Sequence, residues 1–326
     1  MMARGGRGRM TFRRVPISTV PPERKSIVER TPKDCLETKS IIAAATNFSP
    51  ELVDIVMDLA EHWACSMTSI DFSKSGHGTY SIAGASAGEN HLLLRTGPVG
   101  LTTWRPDDEK RWEDAAPPCT LEEEYTTEEL VDVLQESPSD LSHPFRKVVF
   151  DIVSRDQGYT WEPDTQQTFR SSWTWFDAGI DRFDKAHTCS EQCPTPAESG
   201  EGSKRHAAPR TCAIRPVWPP IVEKAGNSYE YDHQLAAQPD HKIQCNRTAS
   251  SQLEHHHVEW SWTDDIEPQS SQSEELEAMG RGSLTGDGKF IRDLKVGDMV
   301  TIWMRARFPG WSNIVQKVEV RVYWAV

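Results

Sequence analysis

The sequence predicts a mainly β fold: an antiparallel, jelly-roll-like β-sandwich with a small α-helical N-terminal region and long disordered insertions. Three observations carry this expectation. Strand-period alternation recurs through the second half of the chain, twelve Trp stand against six Tyr, and the stretches between alternating segments are rich in Ser, Gly, Pro and acids. Period-two alternation sends successive side chains to opposite faces of a sheet. Trp supplies large buried areas in sandwich cores and on binding faces alike. At 326 residues the chain suffices for one large or two modest domains. A hydrophobic content of 37%, with 21 Pro and 20 Gly, assigns part of it to loops.

Residues 1–46 are expected to form a disordered basic tail. Positions 1–30 hold eight Arg or Lys and two Glu, and no acid precedes Glu23. A mitochondrial transit peptide has that charge pattern, but this stretch is Gly-rich and poorly amphipathic. Residues 47–140 read as a small helical region with an acidic linker. Its clearest helix covers about 50–63, with Asn47 or Ser49 as cap and Pro50 in the first turn. There Leu52, Val53, Ile55, Val56, Leu59, Ala60 and Trp63 form one broad apolar face. Residues 73–90 read as loop and 91–96 as a short strand, and Thr126 with Glu129 makes a capping box for a short helix.

The sandwich is expected over residues 141–326, with disordered insertions at about 184–211 and 263–284. Val148, Phe150 and Ile152 alternate with Val149, Asp151 and Val153. Trp173 and Trp175 share one face of the next strand, against Ser172, Thr174 and Phe176. Further on, His256, Val258, Trp260 and Trp262 oppose His255, His257, Glu259 and Ser261. Near the end Val300, Ile302, Met304, Ala306 and Phe308 point inward, and Thr301, Trp303, Arg305 and Arg307 outward. Val318, Val320, Val322, Trp324 and Val326 then return inward, so residues 309–313 connect either a hairpin or two neighbours in a sandwich.

Charge and cysteine usage narrow the function. The net charge is −13, of which the first 30 residues contribute +6, leaving −19 on the body. That argues against duplex nucleic acid as a partner. Seven unevenly spaced Cys predict a reducing, cytoplasmic or nuclear setting. No apolar run approaches the ~20 residues of a membrane helix. The sequence holds no G-x-S-x-G, Walker loop, dinucleotide fingerprint or H-E-x-x-H, and implies no cofactor. Asp156, Asp177 and Asp181 lie near aromatic residues, as the acids of a glycosidase would, but no spacing pairs them. At most two of His255, His256 and His257 can converge on a metal, because strand alternation sends the middle one away. Cys189, Cys193, His206 and Cys212 do not have the spacing of a zinc knuckle.

Two binding constellations stand out. The first combines a polar turn (Arg155, Asp156, Gln157), a Trp pair (Trp173, Trp175) and an Arg-rich strand with its turn (Arg305, Arg307, Trp311, Asn313). Aromatic faces beside such donors and acceptors suit sugars or polar peptides. The ordinary alternative is Arg stacked on Trp to cover sheet surface. The second is the helix face of Leu52, Val56, Leu59 and Trp63, read as a partner-docking surface.

The segments "VVFDIVSRDQGY", "SSWTWFDAGI", "GKFIRDLKVGDMVTIWMRARFPGW" and "VEVRVYWAV" resemble a family of filamentous-fungal proteins without an established activity. In that family the turn reads R/H-D-Q-G-W before S-W-T-W-F, and Tyr159 stands here where Trp is usual. The resemblance covers residues 47–104 and 145–326; some members carry ankyrin repeats, which this chain lacks. "SPELVDIVMDLAEHW" also loosely resembles the first helix of an F-box. The expected function is a non-enzymatic protein-interaction or scaffold module. A lectin-like carbohydrate-binding domain is the alternative, followed by an F-box-like adaptor and a hydrolase.

Overall fold

The computed structural model describes residues 29–74, 76–134, 141, 143–187, 208–226 and 228–326. Helices α1 (Pro32–Thr46) and α2 (Pro50–Leu59) precede strands β1 (Ala64–Asp71), β2 (Tyr80–Ala83) and β3 (Asn90–Arg95). Short helices α3 (Glu109–Glu113) and α4 (Thr127–Leu134) lead to β4 (Phe145–Arg155) and β5 (Thr174–Phe183). Then come β6 (Ile214–Trp218), β7 (Ile221–Lys224), β8 (Ser228–Tyr231) and β9 (Lys242–Cys245). The chain ends with β10 (Glu254–Ser261), α5 (Ser271–Ala278), α6 (Lys289–Arg292), β11 (Met299–Ala306) and β12 (Ser312–Trp324).

Two antiparallel five-stranded sheets form a sandwich. One has the order β1-β12-β4-β10, with β2 also on β12; the other has β3-β11-β5-β6, with β9 also on β5. Between them lies one core: Phe150, Ile152, Val320 and Val322 from the β12–β4 sheet meet Phe176, Ala178, Ile302 and Met304 from the β11–β5 sheet. Ile302, Met304, Val320 and Val322 are among the residues that alternation assigned inward, and interdigitated β-branched and aromatic side chains are what such a core requires. From β3 to β5, and again from β9 to β12, the chain changes sheet at every strand. Strands β11 and β12 are therefore neighbours across the sandwich rather than a hairpin.

Several sequence expectations are corrected. Residues 47–140 are no separate helical region: β1 pairs with β12 from Ala64↔Trp324 to Asp71↔Lys317, and β3 pairs with β11. The half-exposed edge strand β1 mixes Ser, Thr, Cys and Met, which dilutes its β-signal. β2 lies within the Gly/Ser-rich stretch read as loop and pairs with the start of β12. Within the supposed tail, α1 opens on a capping box in which Asp34 N–H donates to the Thr31 hydroxyl at 3.2 Å and Thr31 N–H to the Asp34 carboxylate at 2.8 Å. Positions 1–28 lie outside the described residues, as do 188–207 of the first supposed insertion. The second, 263–284, is ordered around α5, which Ser270 caps through Ser273 N–H. The acidic linker is partly packed: Trp104, Trp112, Leu130 and Phe183 make a second apolar cluster. Its capping box is present, with Thr126 and Glu129 exchanging hydrogen bonds of 3.0 and 3.2 Å. Among the described residues no helix is long and apolar enough to cross a membrane.

His256 faces the core from β10, and burial holds its pKa down at about 4. An unfolded chain binds a proton there below about pH 6.5 that the folded chain refuses until about 4, so stability falls as pH drops through that window. His256→Leu is expected to be about 2 kcal/mol more stable than wild type at pH 5 and little changed at pH 7. Urea unfolding at the two pH values measures the difference.

Candidate functional site

The polar turn after β4 is a structural joint. Asp156 is fully buried, and its carboxylate accepts the backbone N–H of Gly158 at 2.8 Å and of Ala249 at 2.6 Å. Burial raises its pKa against the pull of those N–H groups. Gln157 accepts from Ser312 N–H at 3.2 Å, and Arg155 donates to the Asp156 carbonyl at 3.0 Å. Half-buried Trp311 accepts Gly84 N–H at its carbonyl, 2.9 Å. Asn313 is buried as well; its amide donates to the carbonyls of Trp175 and Arg305, each at 3.0 Å, and accepts from Asn246 at 2.8 Å. Both oxygens of Asp156 thus accept from backbone N–H groups and tie the turn to the segment at Ala249.

The outward row of the β11–β5 sheet is not exposed either. Trp175, Arg305 and Arg307 are all buried, beneath a segment running from β6 to β9. Arg305 Nε donates to Asp177 Oδ2 at 3.0 Å, and Nη1 reaches Asn90 at 3.0 Å and His233 at 2.7 Å. Its guanidinium lies over the ring of Trp303, 4.9 Å from the centroid. Arg307 lies over Trp175 and donates to the Gln234 carbonyl at 2.8 Å. One strand along, Arg95 Nε holds Asp181 at 2.9 Å. Burial pushes the carboxyls of Asp177 and Asp181 up, the latter to about 6, and the Arg305 guanidinium down. Glycine is required at position 179 between the two acids. A Cβ there would stand 2.5 Å from the Trp218 carbonyl and 2.4 Å from the Thr301 hydroxyl. Asp177 Oδ1, Asp181 Oδ1, Thr301 Oγ1 and Trp303 Nε1 are buried without a hydrogen-bond partner of normal geometry. Beside them Asp177, Arg305, Trp218, Asp232 and Gln238 line a cavity of about 130 Å³.

Trp173 stands apart, half-buried at the start of β5, with its ring edge-on to Phe308 at 4.6 Å. It lines a second, larger cleft with Trp175. The structure therefore separates the first constellation into a polar joint (Asp156, Gln157, Asn313), a covered Trp/Arg row (Trp175, Arg305, Arg307), and Trp173 at an open cleft. No family model, curated protein or solved structure matches the chain. Any function must accordingly rest on this geometry.

The helix constellation is also divided. Val53 and Met57 anchor α2 in the core, and Trp63 is buried with its indole N–H on Asp58 at 2.8 Å. Leu52, Val56 and Leu59 face outward, together with Ile55. α2 leads directly into β1 rather than into further helices, unlike the continuation an F-box-like reading expects. On the β12–β4 sheet, His255 and His257 converge on one oxygen of Asp151, at 2.8 and 2.9 Å, and Arg321 holds the other. Among the described residues no three His, Cys, Asp or Glu side chains form a metal-binding group; Cys189, Cys193 and His206 lie outside them.

Sequence reading missed the partner of Arg305 and the covering segment with Trp218 and His233. Alternation places Asp177 on the face of Trp175, opposite Phe176, but cannot tell which cation will cross from β11. Removing Asp177 alone leaves a buried guanidinium uncompensated. Asp177→Ala is therefore expected to cost about 3–5 kcal/mol, and adding Arg305→Met should recover part of it. Urea unfolding of the two single variants and the double variant measures the coupling.

Proposed function

We propose that the protein is a non-enzymatic interaction module that inserts α2 into an apolar groove on another protein. One observation carries this reading. Leu52, Ile55, Val56 and Leu59 occupy positions i, i+3, i+4 and i+7 of α2 and are 48, 54, 36 and 82% exposed. A helix normally turns such a stripe inward; here the core takes only the adjacent edge. Leu36 and Ile41 of α1 and Phe48 between the two helices are also exposed apolar residues. Exposed apolar residues that share one helix face are a signature of interaction sites, and anchors at this spacing are how a helix fills a groove.

The helix is held in advance of binding, which lowers the entropy lost on docking. Lys39 pairs with Asp54 at 2.5 Å, Arg146 with Asp58 at 2.9 Å and Lys147 with Glu61 at 2.9 Å. With Asp54 and Asp58 of the helix already paired, affinity rests mainly on apolar burial and varies little with salt. The free cysteines among the described residues fit a cytoplasmic or nuclear setting.

Ile55→Asp and Leu59→Asp are expected to keep the wild-type melting temperature within a few degrees, since both side chains are exposed. Each should abolish recovery of a stoichiometric partner on affinity purification. Retention of every partner by a folded variant rejects the docking role of α2. A wild-type dimer in light scattering that these variants dissolve would instead assign the stripe to self-association.

A further inference from the structure

The larger cleft beside the Trp/Arg row has a volume of about 510 Å³, within the range of small-molecule sites, roughly 300–1,000 Å³. Trp173 and Trp175 form one wall, with the consecutive Ser171 and Ser172 beside them. The Trp175 side chain is almost wholly buried, with its indole N–H turned to the Asp177 carboxylate, so the half-buried ring of Trp173 supplies the accessible part of this wall. Three charged groups also line the space: Arg170, Lys242 and Glu277. None of them forms an ion pair with a described residue. Elsewhere on this sheet the charges are paired, as Arg95 with Asp181, Arg182 with Asp298 and Arg305 with Asp177. Arg170 and Glu277 are exposed and Lys242 is half-buried, so all three charges are free to meet a ligand beside the aromatic wall.

We propose that this cleft binds a saccharide carrying one carboxylate, of the uronic-acid class. Half-buried Trp173 offers an apolar surface to the C–H face of a pyranose ring, Ser171 meets a ring hydroxyl, and Ser172, which donates to the Thr174 carbonyl, accepts from another. Arg170 and Lys242 together pair with the carboxylate, while Glu277 accepts from a hydroxyl. Two cations against one acid leave a single positive charge, the complement of a monoanion. The site is independent of α2, so either reading can fail without the other.

Titration calorimetry of the full chain with sodium glucuronate and with glucose tests the assignment. Glucuronate is expected to bind about tenfold more tightly than glucose, the effect of one well-placed charged hydrogen bond. Arg170→Gln and Lys242→Met should each weaken glucuronate about threefold and leave glucose unchanged. Both positions are at the rim and should fold as wild type. Raising the salt concentration should weaken glucuronate alone. Trp173→Ala should remove the heat of both sugars, with circular dichroism reporting its fold. Absence of saturable heat with glucuronate, equal affinity for the two sugars, or wild-type affinity in both charge variants overturns the proposal.

Discussion

Four central strands of this sandwich meet at one buried amide. Asn313 of β12 donates to the carbonyls of Trp175 in β5 and Arg305 in β11. Asn246 bridges it to Thr174, at 3.0 Å, and to Ser154 of β4, at 2.7 Å. Both sheets are therefore fixed to each other at the end where β11 leaves one and β12 enters the other. A fully satisfied polar network in a low dielectric specifies a single arrangement, because any shift strands several groups at once. The polar joint at Asp156, the turn at 308–311 and the covered Trp/Arg row all adjoin this network.

From that arrangement follows the double burial of β11. Its inner face joins the apolar core, and its outer face presents Trp303, Arg305 and Arg307 to a covering segment. Charges so placed need partners, since burying an ion without one costs far more than its attraction can return. The acids of β5 supply them, and Gly179 lets the Trp218 carbonyl come close between those acids. The charged row thus sets sheet geometry, while the cleft at Trp173 keeps charged groups that the fold does not consume.

Legibility in the sequence followed the sharpness of the local pattern. β4, β5, β10, β11 and β12 alternate β-branched or aromatic residues with polar ones, and the structure places their inward sets in one core. β1 and β2 escaped because Ser, Thr, Met and Gly at a half-exposed edge look like loop. α5 escaped because Ser and Glu dominate it, although Ser270 and Glu274 are ordinary helix-start residues. For the candidate site, alternation told which side Arg305 and Arg307 would face, but not that residues 216–241 would cover them. Covering depends on pairings between residues far apart in sequence, which periodicity does not encode. On α2 the apolar face was legible as a whole; which edge the core would claim depended on how β1 and β12 pair.

The pairing of β1 with β12 joins residues 64 and 324, nearly the full length of the described chain. During synthesis the first strand has no neighbour until the last has left the ribosome. For most of that time the N-terminal helices and β1 must wait beside an unfinished sheet, with apolar side chains in water. Such late closure makes folding slow and exposes sticky intermediates. Every partner of β1 in the ladder lies between Lys317 and Trp324, so this edge of the sheet is fixed only once that last strand is in place.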